Sequence, residues 1–429
     1  RPGQPVCLAR PAARVGLGRA AAQRRRGEPG WLPMGRPQER LPPCGRLRRS
    51  HGQGAGGGAP APTPRGQLPT PAPIGGVCCR PGMPTTLYYH TGWPGCLLHG
   101  CPKGEGTWRD IPFEDAPEHP GWKKLSVQAD GIEFVVCDVN KVDWDKPPDW
   151  YGKPNYLIES GGSFSLQAGQ LRKVRTDRVL VVTDLDHTLV GHERDPGNKL
   201  VEEFRNLWLG EFCLNGSALC YSTGRNKKDA LGVAQERGLP RPELLICGVG
   251  TEVYKVPREL PLMGWWEAPD DQLRLDPGWK ATMELFDRSA AEAKLVSQFP
   301  RFDMRGSPEH DPYRIPTAYE MDEHFETGIA SLREALGSEY QVISSGEGAW
   351  KLVDVCSAHA GKLKAMEFAM SHLNFVPSST LACGDSGNDE LMYRCKGARM
   401  VMVSNALSEL VKAMTAAAHP PQQELQRGT

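Results

Sequence analysis

Three stretches of the chain share one pattern, a short apolar run that stops abruptly in hydroxyl, carboxylate and glycine residues. VVTDLDHTLV (181–190) runs from Val181 and Val182 into Asp184 and Asp186. ALCYSTGR (218–225) runs into Ser222, Thr223, Gly224 and Arg225, and TLACGDSGNDE (380–390) into Asp385, Ser386, Asn388 and Asp389. Each predicts a buried strand. Between the last two, AHAGKLKAMEFAM (358–370) places Leu363, Met366 and Met370 at helical spacing, with Lys362 opening the helix. Buried strands alternating with helices predict a parallel α/β sheet whose ligand site lies at the carboxyl ends of its strands.

The pattern differs upstream. Residues 86–170 hold short runs (TTLYYHTG, GCLLHG, GTWRDIP, WKKLSVQ, IEFVVCDV, NYLIES, GSFSLQAG) separated by Gly, Pro and Asp turns. This spacing predicts an all-β sandwich. Residues 1–85 carry no such pattern; GQGAGGGAPAPTPRG and its neighbours cannot bury enough apolar surface to order themselves. The expected organisation is a leader over 1–85, a sandwich over 86–170, a short polar linker GQLRKVRT near 170–177, and an α/β domain over 178–418. Two separate cores joined by that linker predict little coupling between the modules.

Composition changes this picture mainly in the leader. The chain of 429 residues balances 51 basic against 51 acidic side chains, yet residues 1–85 contain 14 Arg, no Lys and only Glu28 and Glu39 as acids. No nucleic-acid recognition motif follows, so nucleic acid is not an expected partner. An Arg-rich, acid-poor leader has the character of an organelle transit segment, with GC-rich sequence from outside the true start as the alternative. The chain opens on Arg1, so a fragment or processed form is expected. No run approaches the ~18 apolar residues of a membrane span. The 13 Cys are scattered without a CxxC pair, which argues against structural zinc. Cys220, Cys247 and Cys383 read as small core hydrophobes, Cys78–Cys79 and Cys96/Cys101 as redox candidates, and the compartment as reducing.

The candidate chemistry lies at the strand ends. Positions two apart share a face of a strand, so Asp184 and Asp186 are expected to point the same way. Like charges that close are tolerated when a cation compensates, or when chemistry needs one acid ionised and the other protonated. Phosphoryl transfer has both needs. A carboxylate can attack phosphorus and hold it as an aspartyl-phosphate. The charge on the transferring group calls for a hydroxyl, backbone N–H groups, an ammonium and a divalent cation. Several carboxylates without His or Cys suit Mg²⁺. Asp184 would stay ionised beside the metal while Asp186 shuttles the proton. The plainer readings are Lys362 as a solvated helix residue, Arg225 as a cap, His187 as fold support and Asn388 as a turn former.

The set D-x-D-x-T, S/T-G-R, a helix-opening Lys and GDSGND resembles the four motifs of the haloacid dehalogenase phosphatases. DLDHT, YSTGR, GVGTEV, LACGDSGNDELM and VMVSNA are similar to the sucrose-phosphate phosphatase family within it, over roughly 178–415. The resemblance implies a Rossmann-like core with an inserted α/β cap, about 256–350, that selects the sugar. It implies Asp184 as nucleophile and Asp186 as general acid/base. It places Thr223, Gly224, Lys362 and Asn388 around the phosphoryl group. Mg²⁺ would be held by Asp184, Asp385 and Asp389, with the carbonyl of Asp186. In the cap Arg314, Ser345, Gly346 and Asp354 fall in register, but the flanks PYRIPTAYEMDE and ISSGEGAWKLVDV depart from the family. The sugar therefore stays open between sucrose 6-phosphate and another disaccharide or hexose phosphate. The family's plant members carry a long C-terminal extension, so the shorter, catalytic-core type is expected.

In the upstream module Trp93, Trp108, Trp122, Trp144, Trp150 and Tyr151 crowd one segment. Trp122, at a strand start, reads as core; exposed aromatic faces suit the C–H faces of sugar rings. The order YYHTGW…LLHG…GTW…FVVCDVNKVDWDKP…NYLIESGGSFSLQAG resembles the family 25 carbohydrate-binding modules. It implies an immunoglobulin-like sandwich that binds starch-type α-glucan on His99, Trp108 and Trp144. Trp144-Asp145-Lys146 stands where that family has Trp-Asp-Asn. The expected protein is a Mg²⁺-dependent sugar-phosphate phosphatase tethered to starch, in a plastid or alternatively the cytoplasm. The alternatives are an inert sandwich and a non-catalytic starch-binding regulator.

Overall fold

The computed structural model describes residues 83–418, so nearly all of the leader, with its transit-segment reading, lies outside the described residues. The upstream module has two sheets. One runs in the order Gln170–Lys173, Gly162–Gln167, Thr85–His90, Trp122–Val127, Glu114–Asp115. The other runs Arg109–Pro112, Cys96–Pro102, Ile132–Asp138, Trp144–Asp145, with Tyr156–Ile158 also paired to Ile132–Asp138. Burial alternates residue by residue along Cys96–Pro102, as a strand with one face inward requires. Leu87, Leu98, Phe134, Tyr156 and Leu166, from both sheets, form one core. Asp145 reaches into it and accepts from Tyr89 Oη at 3.0 Å and Tyr156 Oη at 2.7 Å.

Two expectations about this module fall. Gln170–Lys173 is no linker; it pairs antiparallel with Gly162–Gln167. The two-residue turn between them, Ala168 (φ 48°) and Gly169 (φ 75°), has the twist hairpins prefer, but an alanine in its first place hides the signal. Nor are the cores separate. Tyr88, Ala116, Trp122 and Val174 belong to one apolar cluster with Val181, Val201, Trp208 and Leu209 of the α/β domain. Trp122 is 2% exposed. The Thr85–His90 and Trp122–Val127 sheet is thus apolar on both faces, and its second face is covered by the neighbouring domain. Glu211, in the π-helical turn Trp208–Phe212, is held by Arg172 at 3.3 Å and Arg175 at 3.1 Å.

The α/β domain is built on seven strands in the order Arg274–Leu275, Glu252–Lys255, Leu244–Cys247, Ala218–Ser222, Leu180–Thr183, Thr380–Gly384, Arg399–Met402. The last five are parallel, and the first two join antiparallel. Leu180–Thr183 is central and buried throughout. Leu180 and Val182 face a cluster with Met366 and Ala369, while Val181 faces the cluster with Trp208. Burial on both faces is why the run reads apolar without alternation.

The cap has its own four-stranded antiparallel sheet, in the order Asp303–Met304, Arg314–Glu320, Trp350–Ser357, Tyr340–Ser345. Helices Arg288–Gln298 and Phe325–Leu336 supply Leu295, Ile329 and Leu332 to its core. Its limits differ from the expected 256–350. Arg274–Leu275 extends the main sheet, and Trp265, Leu273, Trp279 and Met283 pack in the main clusters. Trp350–Ser357 is a central cap strand instead of a return to the core. Among the described residues no helix is long and apolar enough to cross a membrane. Cys220 and Cys247 are buried as expected, but Cys96 is no redox candidate: burial pushes its thiol up to about 12.

Candidate active site

The central strand stops at Thr183, although Asp184 N–H still donates to the Cys383 carbonyl at 3.0 Å. Asp184 therefore sits at the carboxyl edge of the sheet, 5% exposed. The strand ends before either acid, so they do not share a strand face, yet both side chains line one cavity as expected. Asp184 Oδ1 lies 3.0 Å from Lys362 Nζ. Asp186 is gripped elsewhere. Arg225 donates to both its oxygens at 2.7 Å, and His192 Nε2 lies 2.7 Å from Oδ1. The fold answers the repulsion between these neighbours by giving each its own cation.

Lys362 opens the helix Lys362–His372 at 2% exposure, which excludes the solvated reading. Its ammonium also donates to Asp389 Oδ1 at 2.7 Å. Gly250 packs against the chain just before it: a Cβ there would meet the Gly361 carbonyl carbon at 2.5 Å, so the GVGTEV loop needs glycine at that place. Asp184, Asp385 and Asp389 each bring an oxygen within 4.8 Å of the others. Asp389 Oδ2 also accepts from the N–H groups of Asp385 and Ser386 at 3.1 Å.

Burial pushes the carboxyl of Asp184 well above the ordinary range, and the charges of Asp389 and Asp385 add to it against the pull of Lys362. Asp385 is raised for the same first reason, with Asp389 next. Were all three carboxyls ionised, one ammonium would leave negative charge uncompensated in a buried site, which adds to burial in making Asp184 and Asp385 hold their protons more tightly without a further cation. An all-oxygen donor set of this size and charge fits a hard divalent cation. With both oxygens of Asp389 already engaged, Asp184 and Asp385 have the freer ligand atoms. The Asp186 carboxylate stands outside the group, so only its carbonyl, as the resemblance implies, could serve. Burial opposes ionisation of Asp186 too, but the hydrogen bonds and charge of Arg225, then those of His192, hold its pKa below the ordinary value.

Thr223 is buried, its hydroxyl accepting from Arg225 N–H at 3.1 Å. Gly224 lines the cavity, with the Asn388 amide nitrogen 4.0 Å from where a Cβ would stand. His187 adopts φ 57° and its carbonyl accepts from Asn405, a supporting contact. Core and cap together line an open cleft of about 800 Å³, walled on the cap side by Arg314, Ser345, Gly346 and Asp354 among others. Arg314 is ion-paired to Asp311 at 2.7 Å and to Asp354 at 3.1 Å, so the cap's in-register pair is joined. Sequence reasoning missed His192 and the partner of Arg225. His192 had no motif to mark it, whereas an Arg beside an acid-bearing strand end is a bidentate partner in waiting.

On the upstream module His99, Trp108 and Trp144 come together. The His99 ring lies 5.2 Å from Trp108 and 5.8 Å from Trp144, and the indoles are 40% and 38% exposed. His99 is oriented by Asp110 at 2.8 Å, and Asp110 by Lys141 at 2.5 Å. Lys146 Nζ stands 5.9 Å from the Trp144 ring centroid.

Residues 177–426 match the family model described as sucrose-6F-phosphate phosphohydrolase. Sucrose-phosphatase 1 of Nicotiana tabacum is 32% identical over 241 residues, 55% of this chain and 52% of that protein. The chain thus spans about half the length of the curated relatives it matches. A solved sucrose-phosphatase from Synechocystis sp., in complex with sucrose and phosphate, is 28% identical over 55% of this chain and 86% of its own, with a TM-score of 0.44. A CBM25 module from a Bacillus halodurans amylase is 23% identical over 22% of this chain and 98% of its own, with a TM-score of 0.19.

Proposed function

The chain belongs to the sucrose-6F-phosphate phosphohydrolase family, and from that premise we propose that it is a Mg²⁺-dependent sugar-phosphate phosphatase of the haloacid dehalogenase type. The observation that carries this reading is the buried cluster of Asp184, Asp385 and Asp389 around Lys362, with Asp186 held apart on Arg225. Asp184 attacks phosphorus, and the sugar alkoxide leaves with a proton from Asp186. Water then attacks the aspartyl-phosphate and gives its proton to Asp186, releasing phosphate and restoring Asp184. Lys362 aims Asp184 and offers N–H to the transferring group. Mg²⁺ among Asp184, Asp385 and Asp389 would neutralise their excess charge and polarise the phosphoryl oxygens.

Arg225 keeps Asp186 ionised, the state the hydrolytic half requires. In the first half the phosphoryl oxygens compete for the Arg225 fork, and a freed Asp186 can hold its proton. Gly224 and Asn388 flank the place of that phosphoryl group. The cavity between core and cap, with Arg314, Ser345 and Asp354 in its wall, suits a disaccharide phosphate, with sucrose 6-phosphate the first candidate from the family name and other disaccharide or hexose phosphates behind it.

The upstream module, read as an immunoglobulin-like sandwich, holds the enzyme to starch-type α-glucan. Two half-exposed indoles beside an oriented histidine support this reading. The Arg-rich leader then directs the chain to a plastid, which a fluorescent fusion of residues 1–85 would test. A panel of sugar phosphates assayed with Mg²⁺ tests the activity: release of phosphate from a disaccharide phosphate is expected, and failure on every sugar phosphate would overturn the reading.

A further inference from the structure

One carboxylate fastens the cap to the loop that carries the acids. Glu409, in the first turn of the helix Ser408–Ala418, accepts through Oε1 from Gly387 N–H at 2.8 Å and from Gly346 N–H at 3.3 Å. Its Oε2 pairs with Lys351 Nζ, which also donates to the Gly346 carbonyl. Gly387 lies between Asp385 and Asp389 in the acid loop. Gly346 and Lys351 belong to the hairpin joining the cap strands Tyr340–Ser345 and Trp350–Ser357. Beside them, Ser408 N–H donates to Glu347 Oε1 at 2.5 Å.

The two bodies touch here without space for a side chain. A Cβ on Gly387 would meet Glu409 Oε1 at 2.8 Å and the Ser344 carbonyl oxygen at 2.9 Å. Gly346 and Glu347 line the catalytic cavity. Ser344, Lys351, Gly387 and Glu409 line a second cavity of about 770 Å³ between cap and core. The clasp is the wall between the two. The Lys351 and Glu409 side chains are only 14% and 23% exposed, so solvent screens the pair less than a surface ion pair.

We propose that Glu409 is a positioning residue which, with Lys351, latches the cap hairpin onto the acid loop and so couples cap closure to the arrangement of Asp385 and Asp389. It acts through the Gly387 N–H. Admission of a sugar phosphate parts Lys351 from Glu409, and closure restores the pair. Coupling is reciprocal, so a weakened clasp weakens the hold on both metal and substrate. The substrate half rests on the phosphatase reading; the metal half rests on the position of Gly387 between the acids.

The test compares Glu409→Gln, which keeps an acceptor for Gly387 but drops the charge, with Lys351→Met and Lys351→Arg. For the first two, KM and the Mg²⁺ concentration for half-maximal rate should rise roughly two- to fivefold, the upper size of a partly shielded pair, with kcat at saturation preserved. Lys351→Arg should restore both, and the double variant should be no worse than the worse single. A Mg²⁺ titration followed by thermal shift, without substrate, should show the same increase for Glu409→Gln. Reduced kcat at unchanged KM and Mg²⁺ dependence, strictly additive singles, or no rescue by arginine would overturn the proposal. Should the wild type hydrolyse no sugar phosphate, the phosphatase reading fails and the thermal-shift titration alone decides; an unchanged midpoint in Glu409→Gln then ends the clasp.

Discussion

The hydroxyl of Ser165, in the upstream all-β module, donates to the carbonyl of Gly210, in the α/β domain, at 2.5 Å in a buried contact. Around it Tyr88 and Trp122 join the apolar cluster of Val201, Trp208 and Leu209. The two modules share a core, so they should melt together. Calorimetry should give one cooperative transition over residues 83–418, and Trp122→Ala should cost about 3–5 kcal/mol, the usual range for emptying a buried aromatic site. Two well-separated transitions would contradict the shared core.

Arg225 should not be replaceable by lysine. A single ammonium cannot supply the two parallel N–H bonds that the guanidinium gives both oxygens of Asp186. We expect Arg225→Lys to lower kcat/KM about tenfold or more, which corresponds to about 1.4 kcal/mol. An activity assay with a soluble sugar phosphate checks it, and wild-type rates would remove Arg225 from the account.

Hydrolysis should stop in chelator and return with Mg²⁺. Excess Ca²⁺ should inhibit, since it takes more ligands at longer distances and would loosen the alignment of Asp184. Undiminished turnover in chelator would leave the carboxylate cluster without its proposed purpose.

Trp144→Ala should release the protein from starch granules. Loss of one stacking indole is expected to cost about 1–3 kcal/mol, a figure borrowed from stacking on nucleic-acid bases, or roughly a fivefold to hundredfold weaker Kd. Because this indole is 38% exposed, the melting temperature should barely move. A granule pull-down beside a thermal melt separates loss of contact from loss of fold. A stable variant that still sediments like the wild type would end the platform.

The parts of this molecule visible in its sequence are those where one segment carries its own signal. Leu180–Thr183, Ala218–Ser222 and Thr380–Gly384 are buried on both faces and read as unbroken apolar runs. Lys362 stands at a helix start between two such runs, and its burial beside Asp184 and Asp389 followed. What stayed hidden depends on partners distant in sequence. Nothing local to Tyr88 or Trp122 says that the outer face of their sheet is covered by Trp208. Trp265 and Trp279 have the same apolar character whether they fill cap or core, which is why the cap limits were misplaced. Glu409 meets Lys351 across 58 residues, with no periodicity to announce it. His192 reaches Asp186 only because the turn after the strand carries it back.

The central claim is that Asp184 carries the phosphoryl group during turnover, and trapping that group tests it most directly. Acid quench during turnover of a sugar phosphate, followed by borohydride reduction, converts an acyl-phosphate to the corresponding alcohol at the residue that bore it. Peptide mapping should find homoserine at position 184. Asp184→Asn should abolish both the trapped species and phosphate release, while the melt stays that of a folded protein. Trapping at a different residue, or phosphate release by a folded Asp184→Asn protein, would contradict the account.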